Sequence, residues 1–269
     1  MAFPRQVSLF LVATQFLTRL PVWEQPDFQP AWLSRSARYF PLVGALVGII
    51  NVAVWWLCSR WFPPAVSVGF MIVASLLVTG AFHEDGFADT CDGFGGGTTP
   101  ERVLAIMKDS RIGAYGAIGI VMLLGLKWAT LVAIPVTVLP FLVIAAHTMS
   151  RWCSIGLIWG LGYVRSGGGK SKPLADGLSG FDWILSGLIG AIALVPVALA
   201  SDFGHHGLNV RICVAAALAA LVASGIAAAY FWRRIGGYTG DCLGAVQQIS
   251  ELAFLCAALG ILTPARPVS

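Results

Sequence analysis

The sequence predicts an all-α fold: a polytopic integral membrane helical bundle of about seven transmembrane helices, with an N-terminal interfacial helix and a short cytoplasmic helix. Three observations support this predicted fold. Of the 269 residues, 57% are hydrophobic and only 11% are charged, whereas soluble domains carry about 25% charged residues. Seven apolar runs approach the roughly 20 residues that cross a bilayer. The Lys and Arg residues between those runs are divided unequally between the two sides.

The N-terminal stretch "MAFPRQVSLFLVATQFLTRLPV" (1–22) is apolar, but no small-residue cleavage site follows it. We therefore expect an interfacial helix there rather than a cleaved signal peptide. The apolar runs follow at 40–59, 65–86, 113–134, 138–161, 183–200, 211–231 and 242–262. Because the chain has no repeat and no long linker, a single membrane-embedded domain over 1–269 is predicted.

The basic residues predict the orientation. With the N-terminus inside, the inside segments hold twelve Lys and Arg residues, the outside segments hold three, and two lie within spans. Short loops rich in Lys and Arg stay in the cytoplasm. The N-terminus is thus predicted to be cytoplasmic and the C-terminus external. The polar stretches 83–97, 108–111, 165–172 and 236–245 would then all face the cytoplasm.

The acidic stretch "HEDGFADTCDGFGGG" (83–97) directly follows the second apolar run. If the helix continues, Asp85, Asp89 and Asp92 share one face, because their spacing is i, i+4, i+7. Such carboxylates repel one another unless a cation lies between them, and oxygen ligands suit Mg²⁺ or Mn²⁺. Glu84 points off this face, and Glu84→Ala is expected to have only a mild effect. The alternative is a solvated acidic loop without a ligand.

A short cytoplasmic helix at about 100–109 is predicted next, because Thr99 suits the N-cap position and Pro100 the first helical position. This helix would bring four polar residues to the start of the third span: Lys108, Asp109, Ser110 and Arg111. Cations beside a carboxylate-bound metal are suited to binding a diphosphate. Contact between these cations and anionic lipid headgroups is the alternative.

Charged residues inside spans indicate function by default. Arg151 is expected to pair with a carboxylate, and His147 lies one turn before it. Asp241 stands at the cytoplasmic mouth of the last span, where it could complete a metal site. Glu251, further along that span, is expected to pair with Arg151 or Lys127. A purely structural ion pair remains the alternative for Arg151.

Composition also excludes several classes of protein. The net charge of +4 is small and no basic tract is present, so no nucleic-acid partner is expected. The six cysteines form no CxxC pair, which argues against a disulfide framework or a zinc site.

The motifs themselves resemble those of one family. The pattern His-x-Asp-Gly-x-Ala-Asp-x-x-Asp-Gly, from His83 to Gly93, is similar to the signature of cobalamin synthase, also called adenosylcobinamide-GDP ribazoletransferase. Further similar segments occur in order along the chain: "FLTRLPV" (16–22), "YFPLVGALVG" (39–48), "MKDSRIGAYG" (107–116), Ser150–Arg151 and "TGDCLGA" (239–245) followed by Glu251.

The resemblance implies a Mg²⁺-dependent transferase in the inner membrane of a prokaryote. It would join adenosylcobinamide-GDP to α-ribazole, or to α-ribazole 5′-phosphate, in the last stage of vitamin B12 assembly, and release GMP. Asp85, Asp89 and Asp92 would hold the metal, and the base would be Asp109, His83 or a motif aspartate. The residues assigned to substrate binding are Lys108, Ser110, Arg111, Arg151 and Asp241.

Two other functions remain open at this point. A CDP-alcohol phosphotransferase-like enzyme also uses an aspartate-rich helix near the membrane face, but the Ala-Arg step of that family's pattern is missing here. A transporter would place charges near mid-membrane on broken helices, whereas most acids here cluster at one end. The partners expected are the two substrates and the lipid bilayer, with further copies of the chain in a homo-oligomer as an additional candidate.

Overall fold

A computed structural model describes residues 5–23, 28–164, 174, 178–199 and 206–263. Within these ranges the chain is helical and lacks β-strands. The helices are α1 (Arg5–Leu17), α2 (Pro30–Ser36), α3 (Phe40–Cys58), α4 (Pro64–Thr79), α5 (Phe82–Gly96), α6 (Pro100–Ile106), α7 (Ala114–Ala133), α8 (Leu139–Gly160), α9 (Gly180–Leu199), α10 (His206–Ile235) and α11 (Gly240–Leu262). A 3₁₀ turn, Ala37–Tyr39, joins α2 to α3.

Six helical segments in the described part of the chain are long and apolar enough to cross a bilayer, and they contain α3, α7, α8, α9, α10 and α11. These agree with six of the seven predicted spans to within a few residues, apart from α10, which is longer than predicted. The α4–α5 pair would make a seventh span only if its two bent helices are counted together. The N-terminal helix α1 and the short helix α6 are also present, as predicted.

The predicted second span, 65–86, is wrong in one respect: the helix ends at Thr79. Gly80 has φ +64° and Ala81 has φ +54°, so two successive residues adopt the left-handed conformation that ends a helix. A new helix, α5, then leaves at 89° to α4. Glycine suits position 80 because it adopts this conformation without strain, and a Cβ atom there would also displace the Arg19 side chain.

The acidic helix α5 lies across the ends of several spans instead of continuing one of them. Gly86 packs on the backbone of Asp241 at the start of α11. Further along α5, Asp92 contacts the start of α7, and the Gly97 carbonyl that follows the helix accepts a hydrogen bond from Arg234 at the end of α10. The helix therefore caps one end of the bundle, which we call the site end.

The centre of the bundle is α8, whose side chains are mostly buried. Close approach to α3 is possible because Gly44 and Gly48 face α8; a Cβ at Gly44 would meet the carbonyl of His147. At the site end, Tyr163 and Tyr238 form an isolated bridge that ties the end of α8 to the start of α11. Segments 83–97, 108–111 and 239–245 all lie at this end, whereas loop 165–172 lies outside the described residues.

Candidate active site

The three motif aspartates lie on one face of α5, as the sequence predicts, but in different environments. Asp85 is exposed, Asp89 is half-buried and Asp92 is only 8% exposed. Burial of these three side chains increases from Asp85 to Asp92 because Asp92 meets the start of α7. The three carboxylates are consequently not equivalent, although their spacing in the sequence suggests that they are.

Asp92 caps helix α7. Its Oδ2 accepts the N–H of Gly113 at 2.7 Å, and its Oδ1 accepts the N–H of Gly116 at 2.8 Å. The first N–H groups of a helix have no partner within the helix, and a negative charge there also interacts favourably with the helix dipole. A Cβ atom on either glycine would overlap the Asp92 carboxylate. The two glycines of the "RIGAYG" segment therefore leave the space that the Asp92 carboxylate occupies.

The start of α11 brings Asp241 to the acidic helix. Gly86 on α5 lies against the Asp241 backbone, and Gly244 on α11 lies against the His83 backbone. Thr239 caps α11 through the N–H of Cys242 at 3.3 Å and also donates to Asp241 Oδ2 at 3.4 Å. Asp241 is half-buried and lies beside the segment that carries Asp85 and Asp89. Its position is therefore compatible with a role in the same site.

The basic loop after α6 is held at the same place by a buried side chain. Met107 packs against the position of Gly93 on α5, and its Sδ lies 3.9 Å from Thr239 Oγ1. The next residues, Lys108 and Ser110, are exposed. Met107 thus fixes the loop between the acidic helix and the start of α11.

Asp109 and Arg111 form an exposed pair within this loop. Arg111 Nη2 donates to Asp109 Oδ2 at 2.6 Å, and Arg111 Nε donates to Oδ1 at 3.0 Å. These bonds, with a further one from the Arg111 backbone N–H, lower the pKa of Asp109 to about 2. Asp109 is therefore a weak base near neutral pH, whereas the Arg111 side chain is 86% exposed and can reach a ligand.

The three motif aspartates are only partly suited to binding a metal ion. In the ranges that the structure describes, no three His, Cys, Asp or Glu side chains are grouped closely enough to hold an ion. The assignment of Asp85, Asp89 and Asp92 as ligands stays a prediction. Mg²⁺ is commonly bound by one or two carboxylates, with waters and substrate phosphates completing its coordination. Asp85 and Asp89 fit that chemistry better than Asp92, whose two oxygens already accept backbone N–H groups.

His83 and Arg151 do not join the aspartate face. Both are buried and line a small cavity of about 20 Å³, whose walls include Phe16, Phe40 and Phe82. That volume is enough for about one water molecule. A role for His83 as a base, or for Arg151 in substrate binding, would require this cavity to open towards the site.

The expected carboxylate partner of Arg151 is not found among the described residues. Arg151 Nη1 instead donates to the backbone oxygen of His147 at 2.9 Å and lies 3.3 Å from His147 Nδ1. Glu251 contacts that same ring nitrogen at 3.1 Å, so His147 stands between the two charges. Arg151 contacts His147 instead of a carboxylate for a local reason: His147 lies one turn earlier on α8, where residues four apart are neighbours.

Glu251 pairs with Lys127, one of the two partners expected, with Nζ to Oε1 at 2.9 Å. Gln247 Nε2 donates to Glu251 Oε2 at 2.6 Å, and Lys127 also donates to Gln248 Oε1 at 2.6 Å. Every member of this network is buried within the bundle. Hydrogen bonding of this kind is what makes charges tolerable at membrane depth.

The mild effect expected of Glu84→Ala stays a prediction, but the surroundings of Glu84 favour a larger effect on stability. Glu84 does point off the aspartate face, but it points into the bundle, is 6% exposed and accepts a hydrogen bond from Gln248 Nε2 at 2.8 Å. Gln248 in turn bonds to Lys127, so Glu84 joins the acidic helix to the buried network. The polar pair Gln247 and Gln248, placed four and three residues before Glu251 in an apolar helix, was a usable signal that sequence reasoning missed.

Comparison with known proteins gives one family. The sequence profile described as cobalamin-5-phosphate synthase matches residues 9–259. A protein of Ralstonia pickettii named adenosylcobinamide-GDP ribazoletransferase is 45% identical over 251 residues, which cover 92% of this chain and 93% of the relative. A protein of the same name from Leptothrix cholodnii is 41% identical over 257 residues, covering 94% and 95% respectively. No solved structure matches the chain.

Proposed function

This chain belongs to the cobalamin-5-phosphate synthase family, and from that membership we propose that it is an adenosylcobinamide-GDP ribazoletransferase. It acts in the last stage of vitamin B12 biosynthesis. The adenosylcobinamide phosphate group passes from adenosylcobinamide-GDP to α-ribazole or α-ribazole 5′-phosphate. An acceptor hydroxyl bonds to the phosphorus that carries the cobinamide arm, the bond from that phosphorus to the bridging oxygen breaks, and GMP leaves with that oxygen. The hydroxyl proton passes to a base.

The family description names a product that retains a 5-phosphate. If the acceptor carries a phosphate on its 5′ oxygen, that oxygen is blocked, and attack comes from a hydroxyl on the ribose ring. The observation that carries the proposal is the family match over nearly the whole chain. The geometry supports it, because the acidic helix, the basic loop and the start of α11 meet at one end of the bundle.

The basic loop is assigned to the diphosphate. Lys108 and Arg111 are exposed beside the acidic helix and would bind its non-bridging oxygens, and Ser110 adds a hydroxyl donor. Arginine suits this task because its planar fork binds two oxygens at once. Asp109 holds the Arg111 guanidinium in position and, with a pKa of about 2, is not suited to accept the proton. Asp85 and Asp89 are the better candidates for the base.

Mg²⁺ is proposed as the cofactor. Asp85 and Asp89 would hold it, with Asp241 beside them, and Asp92 would support the site by capping α7. When bound, the ion would neutralise charge on the diphosphate and on the leaving phosphate. The support for this is the all-oxygen donor set on one helix face, next to exposed cations.

The site end is proposed to face the cytoplasm, with the N-terminus on the same side. The support is the excess of Lys and Arg in the segments at that end. Single cysteines at Thr98 and Val136, in a cysteine-free background, would report on it, since both residues are exposed at opposite ends of the bundle. On intact cells an impermeant thiol reagent should label position 136 and leave 98 unlabelled. Labelling at 98 would place the site outside.

The activity is tested by measuring GMP release from adenosylcobinamide-GDP by the purified protein, with each acceptor and with or without Mg²⁺. Release that requires both an acceptor and Mg²⁺ is expected. Asp85→Asn and Asp89→Asn should abolish release, whereas Glu101→Gln, which neutralises an exposed acid on the nearby helix α6, should not. Release without any acceptor would indicate a hydrolase instead. Full activity in the presence of a chelator would remove the metal from the proposal.

A further inference from the structure

A large apolar groove lies beneath the acidic helix, on the face opposite the motif aspartates. Its volume is about 490 Å³, compared with about 20 Å³ for the cavity beside Arg151. One wall is formed by α5 and the other by α10, and Ile249 of α11 forms part of the floor. The lining includes Phe87, Cys91, Phe94, Ala223, Ala227 and Phe231.

The groove faces lipid along its length. Residues of α10 beside it, Val222 and Ile226, have most of their surface exposed, and apolar exposure on a spanning helix is contact with hydrocarbon. From Ala223 to Phe231 the groove follows α10 for about 12 Å at 1.5 Å per residue. An elongated apolar molecule fits this shape, and the small side chains of Ala223 and Ala227 leave room for it.

The mouth of the groove is basic and aromatic. Arg234 lies 5.5 Å from the ring centroids of both Phe94 and Tyr230, and its guanidinium donates to the Tyr230 hydroxyl at 2.6 Å and to the Gly97 carbonyl at 2.7 Å. Arg233, next to it, is exposed, and so is Trp232. Tyr, Trp and Arg at the end of a spanning helix mark the level of the lipid headgroups.

We propose that this groove binds one acyl chain of an anionic phospholipid, whose phosphate is held at the mouth by Arg233 with Arg234 beside it. The charge at the mouth selects the lipid: Arg234 lies against Phe94 and Tyr230, the exposed Arg233 precedes it in the chain, and the groove lining contains no acid. A zwitterionic lipid would offer the same chain but would interact less favourably with this charge.

The occupied groove supports the site helix. Phe87 and Cys91 each follow a motif aspartate by two residues, which is about 200° around the helix. One face of α5 therefore presents carboxylates while the other rests on the lipid chain. The lipid would hold α5 against α10 and would give this enzyme a physical reason to reside in a membrane. Binding itself does not depend on the proposed reaction.

The lipid is tested by native mass spectrometry of the full chain, released from nanodiscs made of equal parts phosphatidylcholine and phosphatidylglycerol. We expect one phosphatidylglycerol to be retained in preference to phosphatidylcholine. Arg233→Gln should reduce that preference about fivefold, the effect of one basic residue near an anionic headgroup. Arg60→Gln, which removes an exposed arginine at the opposite end of the bundle, should leave it unchanged.

Groove occupancy is tested separately. Ala223→Trp should fill the groove and reduce retention of both lipids, whereas Ala229→Trp, on the exposed face of the same helix, should not. A second readout uses Cys91 as the single cysteine: phosphatidylglycerol should slow its reaction with a maleimide in the wild-type groove, but not in Ala223→Trp. Equal retention of the two lipids by the wild type would overturn the proposal. So would protection of Cys91 by α-ribazole in place of lipid, or retention unaffected by Ala223→Trp.

Discussion

Replacing Asp92 with Asn tests whether this motif aspartate acts on the substrate or supports the fold. In the structure its two oxygens accept the N–H groups of Gly113 and Gly116 at 2.7 and 2.8 Å. The side-chain amide of Asn has one acceptor oxygen, so one of these N–H groups loses its partner. The negative charge at the start of α7 is also lost.

The expected destabilisation follows from these two losses. A hydrogen bond to a charged group contributes about 1.5–3 kcal/mol. A charge at a helix terminus contributes about 0.3–1 kcal/mol when exposed and more when partly buried. Asp92→Asn should therefore reduce the free energy of unfolding by about 2–4 kcal/mol. Asp85→Asn is the matched control: Asp85 lies on the same face of the same helix but is exposed, so its change should remain within about 0.5 kcal/mol.

The assay is reversible unfolding in mixed micelles, followed by tryptophan fluorescence, alongside GMP release. Gly116→Ala provides an independent check, because its Cβ would overlap the Asp92 carboxylate and displace it. It should reduce stability in the same direction as Asp92→Asn. If Asp92→Asn abolished activity and left stability at the wild-type value, the capping role would be refuted, and Asp92 would act on the ligand as Asp85 is proposed to do.

Three further predictions follow from the contacts. Glu84→Ala should reduce the free energy of unfolding by about 1–3 kcal/mol, because the buried amide of Gln248 loses an acceptor; an unchanged free energy of unfolding would support the mild effect expected from the sequence. Lys127→Met should destabilise the protein by about 3–5 kcal/mol, because the buried Glu251 loses its lysine partner and keeps only its contacts with His147 and Gln247, and the double variant Lys127→Met/Glu251→Leu should recover most of that loss; an additive double variant would argue against the ion pair. Arg111→Lys should raise the KM for adenosylcobinamide-GDP more than that for α-ribazole, since lysine lacks the bidentate fork; equal increases in steady-state measurements would indicate a structural role.

Features that depend on short stretches of sequence were predictable. Six spans follow from apolar length, and the helix at Pro100–Ile106 follows from Thr99, whose hydroxyl accepts the N–H of Arg102 at 3.3 Å. The common face of the motif aspartates follows from helical periodicity. Each of these depends on hydrophobicity or on spacings of a few residues, which every local segment carries with it.

The partners of the polar groups were decided only by the tertiary structure. Asp92 finds its donors 21 and 24 residues away, and Glu84 meets Gln248 across 164 residues. The bend at Gly80 turns the acidic helix across the bundle, so that one face meets the start of α7 while Glu84 points inward. A buried polar group must find a hydrogen-bond partner, but which partner it finds depends on how helices from distant parts of the chain pack. Periodicity determines the face on which a carboxylate lies, and only packing determines whether that face meets water, an ion or a neighbouring backbone.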